Sequence, residues 1–230
     1  MYRLTYLFIF FFSIVKTYAQ TSIGFEGGSS LNKFHTILPD NARIRPNVGV
    51  LLGIPLEVKL NQHLYLLTEP EFAVKSYTLD KTGQFSGLYE SFNNNYIQVP
   101  IKLGYRIGSK LKCLMEGGFY GGYWVTADIK GVIPDIYDLG SDNSLTRYDG
   151  KIALNTRNIN RFQFGIISAI GCTYPIYSGF NIFFKTLLSR DLTNQVKSDA
   201  AGKNLSVNET IYFTSGIIKS FSFQKQFHEK

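Results

Sequence analysis

From Tyr96 to Arg106 the chain alternates without a break. Ile97, Val99, Ile101, Leu103 and Tyr105 share one parity; Tyr96, Gln98, Pro100, Lys102, Gly104 and Arg106 share the other. Successive side chains of a β-strand point to opposite faces, so this pattern predicts a strand with one apolar and one polar side. About ten such residues, tilted, suffice to cross a bilayer as one stave of a barrel. The pattern recurs, and eight strands are predicted at about residues 23–31, 47–59, 63–77, 96–107, 110–128, 161–174, 180–190 and 209–223. In the second, Val48, Val50, Leu52, Ile54, Leu56 and Val58 form the apolar face. In the third, Leu64, Leu66, Phe72 and Val74 oppose Glu69, Glu71 and Lys75. The seventh sets Ile182, Phe184 and Leu188 against Asn181, Lys185 and Ser189. Lys219 breaks the apolar face of the eighth, and near a strand end it can reach the headgroups.

The connections alternate as regularly as the residues. Residues 60–62, 108–109 and 175–179 are short; residues 32–46, 78–95, 129–160 and 191–208 are long. Tight turns on one side and long loops on the other are the mark of an outer-membrane barrel. The fold expected is therefore all-β: an eight-stranded antiparallel up-and-down transmembrane β-barrel with short periplasmic turns and long extracellular loops. Parity alone does not say which face lies inside. A soluble lipocalin-like barrel, periplasmic or secreted and binding a small apolar ligand, also alternates, with the apolar face inward. Two features favour the membrane. Glu57, Glu69, Glu71, Lys102 and Glu116 fall mid-strand on the polar face, where a narrow lumen can pair them. Tyr105, Phe162, Tyr174 and Phe223 flank the apolar face as an interfacial girdle would.

The N-terminus fits export to that location. Arg3 precedes an apolar run to Val15, and Thr17-Tyr18-Ala19 supplies a small-x-small cleavage site. Residues 1–19 are expected to be a cleaved signal peptide and residues 20–230 one outer-membrane barrel domain. No later stretch reaches the ~18 apolar residues of a membrane helix. The net charge of +7 is mild and scattered, with no basic stripe, so no nucleic-acid partner is expected. The 21 glycines and 15% aromatic residues suit twisted strands and tight turns. Cys113 and Cys172 have the same outward parity on neighbouring strands; they are expected to be small apolar residues, with a cross-strand disulfide as the alternative.

Candidate chemistry is sparse. Glu57, Glu69, Glu71, Lys102, Arg106 and Glu116 would form an interior charge network. It would be either a proton or ion path, or a plug of ion pairs in a lumen only wide enough for side chains. The plug is expected, because an ionised carboxylate in that position needs a cation beside it. His35, near Asp40, is the one external-loop histidine and gives a rim hydrolase its best candidate; a solvated surface pair is the simpler account. Asp135, Asp138, Asp142, Asn143 and Asp149 form an oxygen-rich loop, but their spacing matches no EF-hand, so no metal and no cofactor are expected. The same loop carries Ile133, Ile136, Tyr137, Leu139 and Tyr148, which would cover the mouth or meet a partner.

The segment 96–106, YIQVPIKLGYR, resembles the aromatic-aliphatic-x-aliphatic-Pro-aliphatic-x-aliphatic-x-Tyr strand of the PorT-like outer-membrane β-barrel proteins of the Bacteroidetes. Leu188-Ser189-Arg190-Asp191-Leu192-Thr193-Asn194 is similar to the segment where the seventh strand of those proteins enters its last long loop. Such barrels often end on an aromatic residue, whereas here Phe223 is followed by Gln224 to Lys230. The resemblance implies a Gram-negative outer-membrane protein and nominates protein secretion or surface assembly. The function expected is non-enzymatic: a monomeric structural or binding component of the envelope, in contact with the lipid bilayer and, through its loops, with other envelope or secretion proteins.

Overall fold

The computed structural model describes residues 20–38, 40–134, 145–154, 158–197 and 206–221. Its strands are β1 (Thr21–Thr36), β2 (Ala42–Gly53), β3 (Leu56–Lys59), β4 (Leu64–Thr68), β5 (Glu71–Lys81), β6 (Tyr89–Ile107), β7 (Lys112–Pro134), β8 (Leu145–Lys151), β9 (Phe162–Tyr177), β10 (Phe180–Asp191) and β11 (Ser206–Phe221). They form a single antiparallel sheet that closes on itself, because β1 pairs with β2 and β3 on one side and with β11 on the other. β2 with β3, and β4 with β5, act as single staves, so the ring has eight. β8 stands outside it as a partner of β7.

The prolines explain the interrupted staves. The ladder breaks at Ile54-Pro55 and at Glu69-Pro70, and these breaks lie side by side, Ile54 N donating to the Pro70 carbonyl at 3.1 Å. Pro100 sits in the middle of β6, where a missing N–H would normally be costly. Its neighbour there is the break itself, since β6 pairs with β4 up to Thr68↔Ile101 and with β5 from Glu71↔Gln98. Turn chemistry closes the short end. Asn61 Oδ1 accepts from the backbone N–H groups of His63 and Leu64, both at 2.8 Å. Gly179, at φ +79°, completes the two-residue turn between Tyr177 and Phe180.

The ring places its apolar residues outside. On β6, the odd positions from Ile97 to Ile107 are 39–59% exposed, whereas Gln98 and Lys102 are 1% and 0% exposed. Glu57, Glu69, Glu71 and Glu116 are likewise buried. This is the reverse of a lipocalin, and the soluble-ligand reading loses its cavity. Aromatic residues and cations gather at both ends of the apolar band. His63 stacks on Tyr105, Lys110 lies over Tyr174, and Lys219 lies over Phe180 and Phe221 at the short-turn end. At the other end Tyr123 meets Phe162 edge-on beneath Arg161. Phe223 lies outside the described residues, as do residues 1–19.

The strands run further than their alternation predicts. Residues 32–46 and 78–95, read above as long loops, are mostly strand. β1 pairs with β11 as far as Thr36↔Ser206, β2 with β5 to Ala42↔Lys81, and β5 with β6 to Asp80↔Tyr89. Residues 129–134 and 145–151, also read as loop, form a β7–β8 hairpin. Polar ladders replace apolar alternation there: Ser76 with Asn93, Thr78 with Ser91, and Asn95 with Thr126.

Candidate functional site

Each stave turns alternate residues into the lumen, and at mid-height those residues are charged. Lys102 on β6 bridges Glu69 and, at 2.7 Å, Glu116. Lys185 on β10 reaches Glu69 at 2.5 Å, Glu26 at 3.1 Å and Glu116 at 3.8 Å. Two cations therefore sit among three carboxylates, which holds every member in place. Toward the short turns, both terminal nitrogens of Arg106 donate to Glu57, at 2.7 and 3.2 Å, and the guanidinium lies 4.3 Å from the Tyr65 ring. The Tyr65 hydroxyl donates to Glu116 at 2.9 Å. Toward the long loops, Glu71 accepts from Gln98, and Lys75 pairs with Asp191 at 3.2 Å. Asp191 also accepts from Tyr120 and from Asn208 Nδ2 at 2.8 Å.

Above this core the filling changes character. Asn32 donates to Asn208 and accepts from Thr210. Gln195 and Gln163 donate to the Tyr96 hydroxyl at 2.7 and 3.4 Å. Tyr96 and Trp124 stack beside Ala127, with Ile152, Leu154 and Ile159 packed against them. Phe34, Tyr77 and Phe92 form a second stack, at 4.7 and 4.9 Å between centroids. Side chains thus close the lumen at several levels, as expected of an eight-stave ring.

All six predicted network residues line the lumen here, with Glu71 held by Gln98 rather than by a cation. Arg106 serves Glu57, while Lys102 serves Glu69 and Glu116. Glu26, Lys75, Lys185 and Asp191 complete the network and were not among the predicted members. Inward parity on β5 and β10 is the signal that identifies Lys75, Lys185 and Asp191, whereas Glu26 on β1 lies in a run without clear alternation.

The predicted partner loop is only partly visible. Ile133 and Tyr148 lie on the β7–β8 hairpin; Ile136, Tyr137 and Leu139 fall outside the described residues, as do Asp135, Asp138, Asp142 and Asn143. Tyr148 donates to Glu90 at 2.8 Å, and partial burial together with that carboxylate pushes its phenol up to about 12. His35 meets Glu209 at 3.1 Å rather than Asp40. Among the described residues, no group of three or more His, Cys, Asp or Glu side chains is arranged to hold a metal ion. Cys113 and Cys172 are direct cross-strand partners with free thiols.

A family model described as outer membrane protein beta-barrel domain matches residues 18–196. No curated protein sequence matches the chain. Among solved structures, OprG from Pseudomonas aeruginosa is 10% identical with a TM-score of 0.49, over 89% of this chain and 97% of that one. Neisserial surface protein A is 11% identical with a TM-score of 0.44, over 86% and 97%. The outer membrane protease OmpT from Escherichia coli is 11% identical with a TM-score of 0.42, over 88% and 96%.

Proposed function

The chain belongs to the family of outer membrane protein beta-barrel domains, and from that premise we propose that it is a closed, non-enzymatic barrel that displays its long-loop end to other envelope components. One observation carries this reading: lysines and carboxylates fill the inside of the ring while aliphatic side chains cover the outside. Lipid holds the apolar band, ion pairs close the lumen, and the extended strands project beyond the band as a rigid platform. The short turns face the periplasm and the long connections face outward. Residues 1–19 act as a signal peptide, so N-terminal sequencing of the mature protein should begin at Gln20. The YIQVPIKLGYR segment on β6 and the 188–194 segment at the end of β10 support a PorT-like member of the Bacteroidetes, working in protein export or surface assembly as a monomer.

Two measurements test this reading in turn. Membrane fractionation followed by electrophoresis with and without boiling should find the chain in the outer membrane with a heat-dependent mobility. Gentle solubilisation should then copurify an envelope protein, and the capture should weaken when the 135–144 segment is replaced by a short Gly-Ser link. Consistent recovery of the barrel alone would contradict the display role.

A further inference from the structure

The short-turn end of the ring encloses a polar cavity of about 230 Å³ below the ion-pair core. Its lining is unbalanced: three cations, Lys59, Arg106 and Lys112, face one carboxylate, Glu57. Glu57 is already engaged, since both its oxygens accept from Arg106. Lys59 and Lys112 have no ion-pair partner among the described residues; the recorded contact of Lys59 is Gln20 Oε1 at 3.5 Å. Arg106 also keeps its Nε buried without a hydrogen-bond partner among the described residues. A buried donor in that state is costly unless something accepts from it. Asn61, His63 and Asn181 add neutral polar groups to the walls. The buried Tyr65 ring beneath Arg106 lies in the floor, and low-dielectric walls around charges of one sign concentrate their field.

We propose that this mouth binds a small phosphate-bearing anion. Two unneutralised lysines attract its negative charge. Its several oxygens match a set of donors that no single carboxylate in the lumen satisfies. The mouth opens at the level of Lys110–Tyr174 and Lys219–Phe221, where headgroups of a surrounding leaflet would lie. The phosphate therefore comes either from a lipid headgroup or from a free phosphoester. The periplasmic address of the site rests on the orientation proposed above; its chemistry does not, so detergent-folded protein tests it separately.

The probe is inorganic pyrophosphate, titrated calorimetrically into the full chain folded in zwitterionic detergent. Saturable one-site binding is expected, weakening at least tenfold in the Lys59→Gln, Lys112→Gln double variant. Neither lysine belongs to the central network, so the variant should keep the heat-dependent mobility that certifies folding. Short-chain phosphatidylglycerol, with phosphatidylcholine as control, is then added as competitor. Displacement by phosphatidylglycerol alone supports the site and assigns its occupant to an anionic headgroup. Failure of either lipid to displace pyrophosphate supports the site and assigns a free phosphoester. No saturable binding, equal affinity in the folded double variant, or equal displacement by both lipids overturns the proposal.

Discussion

Lys185 shows how the interior works residue by residue. Its ammonium is the second cation among Glu26, Glu69 and Glu116, so removing it leaves three buried carboxylates to share Lys102. Breaking a buried ion pair from one side typically costs about 3–5 kcal/mol. Lys185→Met should lower the unfolding free energy in lipid vesicles by that amount, read from the denaturant midpoint. A change below about 1 kcal/mol would mean that the cluster is hydrated and does not hold the ring together. Glycines supply the other half of the filling. Tyr65, Tyr120 and Phe183 lie across from Gly104, Gly165 and Gly216, where an added Cβ would sit 2.2–2.5 Å from each ring. Gly165→Leu should therefore displace the Tyr120 ring and reduce the folded, heat-shifted fraction, whereas Gly121→Leu, with open space at its Cβ, should leave it unchanged. At this scale the sequence is half legible. Parity puts Lys102 and Glu69 each on the polar face of its strand, but their partners depend on which staves meet across the lumen. Glu26 is hidden because the Gly-Phe-Glu-Gly-Gly-Ser-Ser run around it lacks clear alternation.

Strand β6 shows how one element sets the membrane boundary. Its outward positions read Ser91, Asn93, Asn95 and then Ile97, Val99, Ile101, Leu103, Tyr105 and Ile107. Ten steps at ~3.3 Å, tilted ~40°, give an apolar band about 25 Å tall, the height of an outer-membrane hydrocarbon layer. The boundary thus falls between Asn95 and Ile97. There β7 inserts an extra residue, with Asn95 opposite Thr126 and Tyr96 opposite Trp124. A charge within the band should be far more costly than one above it. Ile101→Arg should destabilise the folded state in vesicles by about 2–4 kcal/mol, and Asn93→Arg by less than about 1 kcal/mol. Equal effects would remove the boundary. The apolar part of β6 is plain in the sequence, since alternation there is uninterrupted. The upper part is not, because Asn93-Asn94-Asn95 carries no apolar signal and reads as loop. The strand persists through side-chain bonds to Ser76 and Thr126, contacts made only after the neighbouring strands are in place.

For the whole molecule, the consequence is a closed barrel whose inside is a polar core and whose outside is a solvent-matched apolar skin. Planar-bilayer recording should show no steady conductance, because Lys75, Lys102, Lys185 and the stacked Tyr96 and Trp124 block the lumen at successive heights. Ring closure was legible from the even number of alternating segments and from the short and long connections in turn. The inside-out polarity was not, since period-two alternation is identical for either face. Mid-strand carboxylates could only argue for it, and the exposure of Ile97 to Ile107 beside buried Lys102 decides it. The most direct test places single spin labels at positions 97 to 103 of a Cys113→Ser, Cys172→Ser background in lipid vesicles. Accessibility to oxygen in the lipid is then compared with accessibility to a water-soluble nickel chelate at each position. The account predicts high oxygen contact at 97, 99, 101 and 103, and low contact with either reagent at 98, 100 and 102. High oxygen contact at the even positions, or chelate contact at the odd ones, would contradict it.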